Sequence, residues 1–176
     1  MTQFLSVLFI TLSLLFSGVN YAAKGVYQTP KDFISSAFSD AKPKVKTLWL
    51  TKEDKATITE ILQHKYNRMR IRYWQLTNET VWVLDEIGKE KPITIGVHIK
   101  NKRINRFKVL TFRESRGDEV RHDFYSQQFL NASLQDNKQL SQHVDGITGA
   151  TLSVRATTKV ARLALWLDAK VTNSEL

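Results

Sequence analysis

Between Arg70 and Phe112 the chain is patterned as a β-sheet. The segments RIRYWQL (70–76) and TVWVLDE (80–86) are rich in β-branched and aromatic residues, and the polar Thr77-Asn78-Glu79 between them predicts a hairpin. PITIGVHI (92–99) and RINRFKVLTF (103–112) make a second pair across Lys100-Asn101-Lys102, with Ile93, Ile95, Val97 and Ile99 alternating onto one face. Two hairpins of this kind imply one half-buried antiparallel sheet holding all four strands.

Helices flank this block. A first helix is expected to begin at Thr51, whose hydroxyl suits an N-cap, with Glu53 and Asp54 in the first turn where the dipole favours anions. Ile58, Ile61, Leu62 and Tyr66 form its apolar stripe. A short helical stretch is expected around Phe124 to Leu130. A longer helix runs from Leu152 to about Asp168, with Ala156, Val160, Leu163, Ala164 and Leu167 on its buried face and Arg155, Lys159 and Arg162 opposite. No internal repeat is visible. The order helix, strands, short helix, helix predicts an α+β fold, an antiparallel sheet of about four or more strands packed by helices.

The chain has 176 residues, which bounds it to one compact domain, and no cysteine, which excludes disulfides, thiolate zinc sites, protein-ligated iron–sulfur clusters and a cysteine nucleophile. Its 26 Lys+Arg against 17 Asp+Glu give a net charge of +9, all of it beyond residue 23. The uncharged start contains FLSVLFITLSLLF (4–16), too short for a bilayer span of roughly 20 residues and suited to the core of a signal peptide, with Ala22 and Ala23 closing the segment. Residues 1–23 are therefore read as a signal peptide, which places the rest in an exported, periplasmic or extracytoplasmic location. The alternative is an uncleaved N-terminal anchor running from Leu5 to Ala23. Residues 24–47 mix Pro, Ser, Lys and isolated aromatics without a sustained period and are expected to form a leader that packs locally; the main domain spans 48–170.

The chemistry lies ahead of the last helix, in Asp145-Gly146-Ile147-Thr148-Gly149-Ala150-Thr151-Leu152-Ser153. Two glycines and an alanine let the backbone turn tightly, and the start of a helix offers unpaired N–H groups and a positive dipole end. That combination seats a phosphate. Thr148, Thr151 and Ser153 bring hydroxyls to it and Arg155 brings charge. The plainer reading is a capped helix start, with Thr151 or Ser153 as the cap and Asp-Gly as a turn. On physical grounds alone the plainer reading is the stronger.

The run DGITGATLS also resembles the D-x-x-[ST]-G-A-[ST]-x-[ST] signature of the FMN-binding domain family, which includes the C subunit of the sodium-translocating NADH:quinone oxidoreductase and the G subunit of the Rnf complex. Asp145, Thr148, Gly149, Ala150, Thr151 and Ser153 match it at fixed spacing. In that family a flavin transferase moves FMN from FAD, through its phosphate, onto the second Thr or Ser of the signature. The resemblance implies an FMN-binding-domain-like fold and FMN held covalently on Thr151. Asp145, Gly146, Thr148, Gly149, Ala150, Ser153 and Arg155 would line the site, and a flavin transferase would be the maturation partner. It covers roughly residues 48 to 167 and implies electron transfer with a membrane or periplasmic redox partner protein. One segment departs from the family pattern: relatives carry E-T-P-G after the strand block, where this chain has Glu114-Ser115-Arg116-Gly117, keeping only the Glu and the Gly.

Such a protein needs no acid–base constellation of its own, because the flavin ring is the redox centre. No catalytic residue and no metal site is expected. His64, His98, His122 and His143 are scattered without ligand spacing and are read as surface or capping residues. The clusters Tyr73-Trp74, Trp82 and Phe124-Tyr125 are the aromatics from which a ring cover would be drawn, though core packing is the commoner role. The basic run His64 to Arg72 raises nucleic-acid binding as a rival, which export argues against. A solvated sheet face is its plain reading, and docking to an acidic redox partner or an anionic membrane surface is its functional one. The rival to the flavin reading as a whole is a flavin-free exported basic module that holds an anionic polymer or membrane.

Overall fold

A computed structural model describes residues 25–39 and 41–173. The expected export segment, residues 1–23, lies outside the described residues. Five strands, β1 (Lys44–Trp49), β2 (Arg70–Leu76), β3 (Glu79–Ile87), β4 (Pro92–Lys100) and β5 (Arg103–Thr111), form one sheet in the order β1-β2-β3-β4-β5, each antiparallel to its neighbour. The helices are α1 (Pro30–Ala37), α2 (Lys52–Leu62), the single turn α3 (Asp123–Ser126) between 3-10 turns at Asp118–Arg121 and Gln127–Phe129, and α4 (Thr151–Asn173). The α+β expectation holds. Among the described residues no helix is long and apolar enough to cross a membrane.

The turns follow from local chemistry. Asn101 and Lys102 have φ of 52° and 61°, the left-handed pair that a two-residue hairpin requires to match the strand twist. At the start of α2, the Asp54 N–H donates to the Thr51 hydroxyl (3.1 Å) and the Thr51 N–H to the Asp54 carboxylate (2.9 Å), a reciprocal capping box. Lys170, near the end of α4, also reaches Asp54 (2.7 Å), tying the two helices together.

Register sorts the strands' side chains into two faces. Tyr73, Trp82, Val97 and Phe107 are paired across β2 to β5 and lie in one row, with Tyr73 stacked on Trp82 at 4.7 Å and Phe107 on Phe129 at 4.0 Å. The helices α4 and α2 cover this face. Burying rows of this size is the main stabilising term of the fold.

The opposite face is covered too, contrary to the half-buried sheet expected. Phe33, Ile34 and Phe38, from α1 and the residue after it, pack there on Val81 and Leu110, and β4 is buried continuously from Ile93 to Ile99. Phe33 lies over Gly96 so closely that a Cβ at 96 would meet its ring at 2.5 Å. Within the segment expected as a leader, residues 30–37 thus form a helix and residues 44–47 begin the edge strand β1. The short stretch around Phe124 to Leu130 is a single α-turn followed by a 3-10 turn, and α4 extends five residues beyond Asp168, to Asn173.

Candidate functional site

The site grows from the first turn of α4. The Ala150 N–H donates to the Ile147 carbonyl (3.0 Å), closing a turn through Gly149, whose φ of +86° calls for glycine. The Val154 N–H then donates to the Ala150 carbonyl (2.9 Å) and the helix proceeds. Ahead of it the N–H groups of Thr151, Leu152 and Ser153 have no hydrogen-bond acceptor among the described residues. They form the positive end of a 23-residue helix, suited to a phosphate.

Side chains divide around this turn by burial. Asp145, Gly146, Thr148, Gly149, Thr151 and Arg155 are exposed, and the hydroxyls of Thr148 and Thr151 have no partner among the described residues. Thr151 is the first residue of the helix and Arg155 stands one turn on, along the same face. A Cβ at Gly146 or Gly149 would meet nothing within 4 Å, so the backbone there is open to a ligand. Asp145 is held through its N–H, which donates to Gln128 (2.7 Å), and its carboxylate lies 3.5 Å from His143.

Ala150 and Ser153 instead face inward, 2% and 4% exposed. Gly117 lies against them: a Cβ there would come within 2.6 Å of Ser153 Oγ and 3.5 Å of Ala150 Cα. Small residues at 117, 150 and 153 therefore let the 114–117 segment seat the start of α4. Glu114, at the head of that segment, accepts from the N–H groups of Lys89, Glu90 and Lys91 at 2.6, 2.8 and 3.0 Å. Desolvation opposes the charge, yet these donors hold the Glu114 carboxyl below the usual carboxylate range. Both residues retained from the family's E-T-P-G segment thus have structural partners in the chain, and the only signal for them was that retention.

Further along α4, the Thr157 hydroxyl meets the Tyr125 hydroxyl at 2.7 Å and the Ser153 carbonyl at 2.9 Å, which locks α3 to the helix. Burial raises the Tyr125 phenol above its usual range. A cleft of about 420 Å³ runs along residues 139–144 to Thr158, two turns from Thr151 on the same helical face. A second, of about 490 Å³, is lined by Tyr27, Lys91, Arg113, Glu114, Ser115 and Asp118, beside Gly117.

The aromatic clusters are mostly core. Tyr73, Trp82 and Tyr125 are buried, and Trp74 packs beneath α1, whereas Phe124 is 61% exposed and stacks on His122 at 6.1 Å. Of the histidines, His98 is 2% exposed between Glu79 (2.9 Å) and Asn105 (3.2 Å), and His64 pairs with Glu86 (3.0 Å). Among the described residues no group of His, Asp or Glu is arranged to hold a metal. Of the basic run, Arg70 and Arg72 are exposed on β2, where Arg70 covers Trp49 at 5.4 Å, and Arg68 ahead of the strand reaches Asp85 at 3.4 Å, while Tyr66 packs against the core.

An exposed hydroxyl, three N–H groups without an acceptor among the described residues and an uncrowded glycine turn fit the phosphate end of FMN. A family model for the FMN-binding domain matches residues 88–166, from the β3–β4 turn through most of α4. No curated protein and no solved structure matches the chain. The matched stretch contains Glu114, Gly117 and the whole Asp145–Ser153 turn, so over residues 88–166 this chain is similar to the FMN-binding domain family.

Proposed function

We propose that the protein is an exported electron carrier whose FMN is bound covalently, through its phosphate, to Thr151. The observation that carries this reading is the Thr151 side chain itself, exposed and, among the described residues, without a partner, on the first residue of a helix whose leading N–H groups have no acceptor among those residues. In maturation the Thr151 oxygen forms a new bond to the FMN phosphorus of FAD, the pyrophosphate bond breaks, AMP leaves and the hydroxyl proton is released. A flavin transferase carries out the exchange. When bound, FMN supplies the redox chemistry.

The chain's residues orient and hold. The N–H groups of Thr151, Leu152 and Ser153 and the Arg155 guanidinium would offset the phosphate charge of FMN, and the open backbone at Gly146 and Gly149 would leave room beside it. Export is supported by the uncharged, apolar residues 1–23, and a membrane or periplasmic redox protein is the expected partner. The test is colour after denaturation. Protein made in an exporting host with an active flavin transferase should give a yellow pellet on acid precipitation, whereas a colourless pellet with yellow supernatant would leave FMN bound only noncovalently.

A further inference from the structure

One end of the sheet differs from the other. Trp49 closes β1, Met69 precedes β2 and Ile87 closes β3, and these side chains are 63%, 60% and 58% exposed. Register gathers them: Trp49 pairs with Arg70, the Leu50 N–H donates to the Met69 carbonyl (3.0 Å), and Ile87 pairs with Pro92 at the start of β4. Cations stand among them. Arg70 lies 5.4 Å over the Trp49 ring and Lys55 touches the Met69 sulfur at 2.9 Å, while Lys65 and Lys91 are exposed nearby. Most acids of this end are engaged, Asp85 by Arg68 and Thr94, Glu86 by His64, Glu90 by Lys89, and Glu114 by the 89–91 backbone, while Glu53 in the first turn of α2 is exposed.

Exposed Trp, Met and Ile with long cationic side chains beside them suit the headgroup level of an anionic bilayer. On the alternative of an uncleaved anchor from Leu5 to Ala23, the path of the chain favours a bilayer over an acidic protein. Val26 bridges Thr111 and the Phe112 N–H donates to the Gly25 carbonyl (2.8 Å), so the described chain enters at this same end, directly after the uncharged residues 1–23 with their apolar run 4–16. We propose that this end of the sheet rests on an anionic membrane surface, with Trp49, Met69 and Ile87 at headgroup depth and Lys65, Arg70 and Lys91 on lipid phosphates.

The orientation has a consequence for α4. Asp168, near its C-terminal end, is held by Thr80 at the far end of the sheet, whereas its first turn is seated by Gly117, whose segment binds the β3–β4 turn. Thr151 is therefore at the membrane-facing end. On the reading of Thr151 given above, its flavin is held toward the bilayer; the surface itself does not depend on that reading.

Because the chain lacks cysteine, single substitutions report cleanly. Full-length protein, with or without flavin, is labelled with an environment-sensitive fluorophore at Met69→Cys, Ile87→Cys or, at the opposite end, Asn78→Cys, and mixed with vesicles of phosphatidylcholine alone or with phosphatidylglycerol. In the anionic vesicles the labels at 69 and 87 should shift to the blue and lose access to an aqueous quencher while that at 78 does not. Lys65→Gln with Arg70→Gln should raise the lipid concentration needed by about thirtyfold. Hydrated labels at all three positions in the anionic vesicles would overturn the proposal, even if residues 1–23 tether the protein. A shift that grows with protein concentration without lipid would assign the surface to a second copy of the chain and overturn it as well. An equal shift in phosphatidylcholine alone would overturn the role of charge.

Discussion

Gly117 and Ser153 are in contact across the start of α4, at a separation only glycine allows: a Cβ at 117 would lie 2.6 Å from Ser153 Oγ, on a backbone whose φ is +86°. Gly117→Ala combines strain with a clash and should cost about 1–3 kcal/mol of stability by urea unfolding. It should also lower flavin incorporation, since the turn that presents Thr151 is displaced. Gly146→Ala is the control, because a Cβ there meets nothing within 4 Å and the φ of Gly146 is not positive. Its stability should stay within about 0.5 kcal/mol of wild type.

Arg155 stands one turn beyond Thr151 with its side chain exposed. Arg155→Gln removes one charge from the phosphate seat and nothing from the core. Flavin attachment under limiting transferase should slow about tenfold, the order of one lost charge-assisted hydrogen bond. The unfolding midpoint should not change. An unchanged rate of attachment would remove Arg155 from the site.

Asp168 is 2% exposed and accepts from the Thr80 hydroxyl (2.6 Å), which in turn accepts from Trp82 Nε1 (2.9 Å). Burial raises its carboxyl above the usual range, against the Thr80 hydrogen bond and the Lys102 charge. The folded state thus holds this proton more tightly than the unfolded chain. Its stability contribution is fully present below the unfolded value of about 4 and declines as pH rises through the folded one. Asp168→Asn keeps an acceptor for Thr80 without the charge, so it should match or exceed wild type at pH 7 and lose that advantage in acid. Asp168→Ala strands the buried Thr80 hydroxyl and should cost about 1–3 kcal/mol.

His98 titrates in the opposite sense. Desolvation lowers its pKa despite the neighbouring Glu79 carboxylate, so the neutral ring is favoured in the fold. Its contribution is present above the unfolded value of about 6.5 and is lost as pH falls from there toward the lowered folded value. His64, raised by its hydrogen bond to Glu86, responds the other way. The difference in unfolding free energy between wild type and His98→Gln, followed from pH 7.5 to 5.5, isolates His98 and should shrink on acidification.

Much of this architecture is legible in the sequence, because β2 to β5 are rich in β-branched and aromatic residues between polar turns and Thr51 and α4 follow simple helix rules. The stretch holding α1 and β1 is not. The α1 helix is only eight residues long and has no room for a repeat, although Thr29 at its N-cap, Pro30 at its first position and Asp32 in its first turn are ordinary start signals. The edge strand β1 is missed because its faces are exposed or half-covered, which erases the contrast that alternation depends on. At the site, the order of hydroxyls and glycines is visible in one dimension. That Ser153 faces Gly117 while Thr151 faces solvent depends on a long-range contact between residues 36 positions apart.

The central claim is that Thr151 carries the flavin, and the intact mass of exported protein made with an active flavin transferase tests it most directly. Wild type should gain the mass of FMN less one water, and the gain should map to the peptide containing Thr151. Thr151→Ser should retain the gain, and Thr151→Ala should lose it while unfolding as wild type does, because the Thr151 side chain is exposed. An unmodified wild-type mass, with the transferase shown active on another substrate, or a gain that persists in Thr151→Ala, would contradict the account.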